Sequence, residues 1–141
     1  MKILILNGPN INLIGSREPH IYGTVSFLDY FAQLRSRYSD QELTTMQSNH
    51  EGALIDILQE APRLYDAVVF NPAAYSHTSI ALADCINAIE IPVVEVHISD
   101  ITKREAYRQR SYTGDASEAR FYGYGMESYA MAIEYLISKN P

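Results

Sequence analysis

Three short hydrophobic runs in this chain each end in a polar residue. The runs span residues 3–6, 67–70 and 92–96, the last interrupted once by Glu95. Apolar runs of this length are typical of strands buried on both faces of a parallel sheet. The polar residues that follow them are Asn7, Asn71 and His97. Because parallel strands bring their carboxyl ends to one edge of the sheet, we expect these side chains to share a ligand-binding crevice.

Four other segments repeat apolar residues at helical spacing. Their stripes are Phe27/Phe31/Leu34/Tyr38, Leu54/Ile57/Leu58/Ala61, Leu82/Cys85/Ile86/Ile89 and Tyr129/Ala132/Ile133/Leu136. Ser26 ahead of Asp29 predicts one helix start, because its side-chain oxygen can accept from the first free amides. Asn49 ahead of Glu51 predicts another for the same reason. A weaker strand over 43–47 and a last one near 120–122 complete a βαβαβαβαβ order.

This alternation predicts an α/β fold with helices on both faces of a parallel sheet. We expect a single domain over residues 1–141, a flavodoxin-like three-layer sandwich whose five strands have the order 2-1-3-4-5. That order places the ends of the first, third and fourth strands side by side. Two long connections, 8–25 and 99–119, are expected to be lids or binding loops.

Composition narrows the class of protein. The chain has 141 residues and a net charge of −6, which argues against a nucleic-acid partner, although five of its eight arginines lie at 17 and over 104–120 and permit a local anion site. The one cysteine, Cys85, falls in a helical stripe and is expected to fill the core, so no disulfide forms within the chain. Without a membrane-length apolar stretch or a signal segment, we expect a cytoplasmic protein and no membrane partner.

Familiar cofactor motifs do not occur in this sequence. There is no G-x-G-x-x-G and no Walker loop. The histidines His20, His50, His77 and His97 lack the spacing of a metal site. Lys103 is the only lysine placed to form a Schiff base. We therefore predict no metal and no cofactor.

The remaining polar residues near the strand ends are Asn10, Arg17, Tyr22, Asn71, His77, His97, Ser99, Arg104 and Arg108. Such donors, cations and acid–base groups suit an oxygen-rich anion. Each also has a structural interpretation: the asparagines could cap turns, His77 could cap a helix, and Arg104 with Arg108 could form a solvated helix face. Glu95 lies two residues before His97 on the same strand face, where a carboxylate could orient and charge the imidazole.

Five segments, in order, make the chain resemble the type II 3-dehydroquinate dehydratases along nearly its whole length. They are residues 7–15 (NGPNINLIG), 17–23 (REPHIYG), 47–52 (QSNHEG), 71–79 (NPAAYSHTS) and 95–99 (EVHIS). The resemblance implies anti elimination of water from 3-dehydroquinate, through an enolate, to 3-dehydroshikimate, in the shikimate pathway or in quinate catabolism. It also implies a flavodoxin-like fold, a dodecamer built as a tetramer of trimers, and no cofactor.

The resemblance carries roles onto the matched positions. For catalysis it implies Tyr22 as the base, Arg17 to keep it ionised, His97 as the acid, Glu95 to support His97, and Asn10 to position a water. For substrate binding it implies Ile98 and Ser99 at the carboxylate and Asn71, His77 and Arg108 at the ring hydroxyls. Asp84 would reach the site of a neighbouring subunit.

The chain departs from the family pattern in four places: Asp100, where Asn is common; Ala73, where Gly is frequent; residues 113–115; and the polar, aromatic last strand. Two other functions stay open. A relative that only binds a cyclic polyol acid would be expected to lack Tyr22, Arg17 or His97, and all three are present. A flavin-binding module would need a phosphate loop after the first strand, which is missing.

Overall fold

Five parallel strands form one sheet in the order β2-β1-β3-β4-β5, which confirms the predicted order. The computed structural model describes residues 1–16, 18–22 and 24–140. The strands are β1 Lys2–Asn7, β2 Glu42–Gln47, β3 Ala67–Asn71, β4 Val93–His97 and β5 Ala119–Tyr122. Asn7 and Asn71 are register partners on the neighbouring strands β1 and β3. The polar strand ends therefore meet at one edge, as the sequence predicts.

Four long helices occupy the segments with helical stripes, and two short ones lie in the connections. The helices are α1 Pro19–Tyr22, α2 Phe27–Arg37, α3 Glu51–Leu64, α4 Ile80–Ala88, α5 Tyr112–Ala116 and α6 Glu127–Lys139. The short helices α1 and α5, like the 3-10 turns beside them, span too few residues to show a periodic apolar stripe. For that reason the sequence pattern predicted these two segments as loops.

The two faces of the sheet carry separate hydrophobic cores. Ile3 and Ile5 of β1 belong to the core with α2 and α6. Leu4 and Leu6 belong to the core with α3 and α4, where Cys85 is buried with a free thiol. Successive strand side chains point to opposite faces, so a strand that is apolar throughout requires helices on both sides. This is the three-layer arrangement expected from the sequence.

Both predicted helix starts are confirmed, but only one of the two expected side-chain caps is present. The Ser26 hydroxyl accepts a hydrogen bond of 3.1 Å from the amide of Asp29 and so caps α2. Helix α3 begins after His50 without a side-chain cap. The Asn49 oxygen instead accepts from the amide of Asn10 at 3.1 Å and from the Gln47 side chain at 3.0 Å. Asn49 thus ties the loop after β1 to the end of β2.

Candidate active site

A pocket opens at the carboxyl ends of β1, β3 and β4. It is lined by Pro9, Asn10, Ile11, Asn71, Ala73, Ala74, His77, His97, Ile98, Ser99, Ile101, Arg104 and Arg108. The predicted site residues among them are Asn10, Asn71, His77, His97, Ile98, Ser99 and Arg108. These residues follow strands that are far apart in the sequence, and the strand order of the sheet brings them together. The pocket is therefore the candidate active site.

Four predicted residues are not among the lining residues, and one of them, Glu95, lies behind His97. Asp84 lies on the exposed side of α4 and is not among the lining residues. Arg17 lies outside the described residues. Tyr22 ends α1, and its side chain also lies outside the described part of the chain.

Glu95 lies directly behind His97 on the α5 side of β4. Its carboxylate is fully buried and is 3.0 Å from Nε2 of His97. The hydroxyl of Ser111 donates to it at 2.5 Å, and the hydroxyl of Thr113 donates to its other oxygen. Because an ionised carboxylate only accepts hydrogen bonds, Nε2 of His97 carries a proton, and Nδ1 is the ring nitrogen left for chemistry.

The same contacts set the charge of Glu95. Burial by itself raises the pKa of this carboxyl, but the hydrogen bond and charge of His97 and the two hydroxyls outweigh burial and hold the pKa below its ordinary value. Sequence reasoning missed Ser111 and Thr113. They lie 16 and 18 residues beyond Glu95 and carry no motif that would connect them to it.

His77 faces His97 across the pocket, with ring centroids 6.1 Å apart. Its Nδ1 is 2.7 Å from the carbonyl oxygen of Arg110, which can only accept, so Nδ1 carries the proton. Burial lowers the pKa of His77, and the neighbouring His97 lowers it further. A neutral His77 with a free Nε2 can accept a hydrogen bond from a hydroxyl. It does not cap α4, which Ser79 caps through the amide of Leu82 at 2.9 Å.

Asn71 both caps a turn and lines the pocket. Its oxygen accepts from the amide of Ala73 at 3.0 Å, and its nitrogen donates to the hydroxyl of Tyr129 at 2.8 Å. Ala73 has a left-handed backbone with φ 54°, a conformation that favours glycine. The structural interpretation of Asn71 is thus correct and compatible with the functional one. Tyr129 was predicted only as part of a helical stripe.

Two arginines supply positive charge to the pocket. Nη1 of Arg104 donates to the hydroxyl of Ser99 at 3.1 Å. Nε of Arg108 lies 3.1 Å from a carboxylate oxygen of Glu105. Both residues lie in a segment of short 3-10 turns rather than on one helix, so the interpretation of a solvated helix face is wrong.

The segment after β4 turns two other charged groups away from the pocket. Lys103 is 82% exposed and lies 3.8 Å from Asp100, and neither residue lines the pocket. The Asp100 carboxylate accepts from the amide and the hydroxyl of Thr102 at 3.0 and 2.6 Å. Lys103 is thus not placed to form a Schiff base in this pocket, and the negative charge of Asp100 is held outside it.

Neither a metal centre nor a membrane span is found in residues 1–16, 18–22 and 24–140. Over these ranges, no three His, Cys, Asp or Glu side chains are grouped so that they could hold a metal ion. No helix there is long and apolar enough to cross a bilayer.

The comparisons with known proteins agree with one another. The family described as Dehydroquinase class II matches residues 1–137. A 3-dehydroquinate dehydratase of Clostridium botulinum strain Hall is 46% identical over 139 residues, which is 97% of this chain and 95% of that protein. One of Bacillus pumilus is 47% identical over 138 residues, 96% of this chain and 94% of that protein.

Solved structures show the same relationship. The type II dehydroquinase of Butyrivibrio crossotus has a TM-score of 0.92 and 41% identity, covering 97% of each chain. That of Propionibacterium acnes has a TM-score of 0.92 and 36% identity, covering 97% of this chain and 96% of the other. From its pocket, its fold and these matches, this chain belongs to the class II dehydroquinase family.

Proposed function

We propose that this protein removes water from 3-dehydroquinate by anti elimination, through an enolate, and releases 3-dehydroshikimate. The observation that carries the proposal is the buried Glu95–His97 pair, at 3.0 Å, at a pocket that also holds two arginines. The shikimate pathway is the general setting of this reaction. Quinate catabolism uses the same step, so the geometry supports both settings equally.

His97 acts as the acid. In its doubly protonated form it holds one proton on Nε2 against Glu95 and presents the other on Nδ1 to the departing hydroxyl. The hydrogen bond to the buried Glu95 carboxylate keeps the ring from rotating away. A positioned general acid of this kind contributes about 10²- to 10⁴-fold to a rate.

The pocket binds the substrate through groups matched to its carboxylate and its hydroxyls. Ile98 and Ser99 hold the carboxylate, and the guanidinium of Arg104, bonded to the Ser99 hydroxyl, adds charge complementarity. Neutral His77 accepts from a ring hydroxyl, and Asn71 and Arg108 donate to ring oxygens. Since the chain as a whole is acidic, these local cations are what make the pocket suitable for an anion.

Tyr22 is the base that takes the proton next to the ketone. A tyrosine in water titrates near ~10, so an ionised one at neutral pH requires roughly 4 kcal/mol of stabilisation. One cation at ~4 Å with an effective dielectric of ~20 supplies about that amount, and Arg17 is proposed for this role. Asn10 holds a water against the enolate oxygen, where a donor stabilises the transition state more than the substrate.

The assembly is proposed as a dodecamer, a tetramer of trimers, in the cytoplasm. Asp84 supports an intersubunit site, because its carboxylate faces outward from α4 rather than into the pocket of its own chain. The buried free thiol of Cys85 suits a reducing compartment. Sedimentation of the purified protein measures the assembly, and a mass far below that of twelve chains would contradict it.

An ultraviolet assay tests the activity itself. Purified protein treated with a chelator is mixed with 3-dehydroquinate, and the absorbance of the conjugated enone product is followed. We expect turnover from the unmodified chain, a loss of about 10²-fold or more in Tyr22→Phe, and no loss in the control Tyr124→Phe, whose ring is exposed. No absorbance change from folded protein would favour the relative that only binds. Unchanged turnover in Tyr22→Phe would remove that residue from the mechanism.

A further inference from the structure

Arg120 on the edge strand lies beside the buried carboxylate that supports the acid. Arg120 of β5 and Glu95 of β4 are register partners in the parallel sheet. Register partners on neighbouring strands point to the same face, so Arg120 is on the face that holds Ser111 and Thr113. Its Nη2 donates to a carboxylate oxygen of Asp115 at 2.8 Å, which fixes the guanidinium above α5.

Gly114 of α5 lies next to both the guanidinium and the carboxylate. A Cβ at this position would lie 2.6 Å from Oε2 of Glu95 and 3.1 Å from Nη1 of Arg120. The same Cβ would lie 2.9 Å from the hydroxyl of Ser111. Because glycine has no side chain, the guanidinium and the buried carboxylate both lie close to the point that a Cβ would occupy. Any larger residue would push them apart.

We propose that Arg120 is a positioning residue for the dehydration, a fixed cation that sets how strongly Glu95 holds the proton on His97. The inference rests on the proposed function. Gly114 and Arg120 both lie in segments where the chain departs from the family pattern. The two departures act together, because the absence of a side chain at Gly114 leaves room for the guanidinium of Arg120.

The direction of the effect follows from the charges. Arg120 offsets part of the negative charge that Glu95 presents to His97, so the acid releases its proton more readily. The other charged or titratable groups facing this pair are His77, Arg104 and Arg108 on the pocket side, Tyr122 of β5 as the register partner of His97, and Asp115 beside Arg120. None of them changes in the variants below, so only the charge at position 120 differs.

The test is the pH dependence of turnover in Arg120→Gln. Without the cation, the full negative charge of Glu95 faces His97, and we expect the alkaline limb of the kcat profile to move to higher pH by about half a pH unit. The shift is modest because Arg120 is partly exposed. KM at neutral pH stays unchanged, since Arg120 does not line the pocket. Arg120→Lys retains the charge, so its limb returns to that of the unmodified protein.

Lys139→Gln is the matched control, because it removes an exposed cation paired with Glu118 on a neighbouring part of the surface. The alkaline limb of its kcat profile should stay at the same pH as in the unmodified protein. Arg120→Met repeats the neutral substitution with a long side chain should the Gln variant not fold. If the alkaline limb of the kcat profile lies at the same pH in the unmodified protein and in both neutral variants, the proposal is overturned. An unmodified protein without turnover would instead contradict the proposed function, so the two failures are separable.

Discussion

The hydroxyl of Tyr129 joins Asn71 to Asn7 inside the fold. It accepts from the side-chain nitrogen of Asn71 at 2.8 Å and donates to the side-chain oxygen of Asn7 at 2.7 Å. All three side chains are buried, and the two asparagines end the adjacent strands β1 and β3. One tyrosine of α6 therefore sets the orientation of an amide that lines the pocket.

Tyr129→Phe should weaken the fold and disturb the pocket. The substitution leaves a buried donor on Asn71 and a buried acceptor on Asn7 without a partner, which costs about 1–3 kcal/mol of the free energy of unfolding. Urea denaturation measures the loss. Tyr38→Phe is the control, because its hydroxyl bonds an exposed Glu134 and should matter less. Equal losses in the two variants would contradict a special role for Tyr129.

Ala73→Gly should stabilise the protein. Ala73 has φ 54°, and an L-residue with a Cβ is strained by roughly 1–2 kcal/mol in this region. Glycine removes the strain but makes the unfolded chain more flexible, so the net gain should be about 0.5–1 kcal/mol. Ala74, the next residue of the same 3-10 helix, lacks the strain, so Ala74→Gly should lose stability in the same thermal or urea melt. A loss in both variants would show that position 73 is unstrained.

Glu95→Gln should change the acid side of the stability profile. The pKa of Glu95 is lowered in the folded protein, so its ionisation stabilises the fold above the unfolded value of ~4.3, and that contribution is lost as pH falls through the folded pKa. The variant should lack this slope in denaturation measured between about pH 3 and pH 7. Its kcat should fall by about 10²-fold, because His97 loses its negative partner.

Glu60→Gln is the control for that experiment. The Glu60 carboxylate is exposed and pairs with the exposed Arg63 at 2.8 Å. Exposed pairs contribute about 0–1 kcal/mol, so this variant should keep both its activity and the acid slope. A full acid slope in Glu95→Gln would mean that other carboxyls cause it.

Asp84→Ala should be rescued by mixing if the active site borrows Asp84 from a neighbour. When it is reassembled with equal amounts of Tyr22→Phe, a site with Tyr22 from one chain and Asp84 from the next forms in about a quarter of cases. Activity should rise toward that fraction in the ultraviolet assay. Asp56→Ala, on the exposed side of α3, should be active alone. Mixtures that stay inactive would place Asp84 outside the site.

The pattern of apolar and polar residues along the chain is enough to predict the sheet, its strand order and the edge where the site lies. Continuous apolar strands require helices on both faces, and helical stripes between them require parallel crossovers, so the polar strand ends had to meet. The Glu95–His97 pair was also readable, because residues two apart in a strand share a face. These features follow from local periodicity, which is visible within each short stretch of the sequence.

Which distant groups surround that edge depends instead on how the elements pack in three dimensions. Ser111 and Thr113 on Glu95, Tyr129 on Asn71, and Arg120 across Gly114 are contacts between segments far apart in the chain. The short helices of the connections and the φ of Ala73 likewise could not be predicted from the sequence pattern. Such contacts depend on how two elements pack against each other in space, and no periodicity within either element encodes that distance.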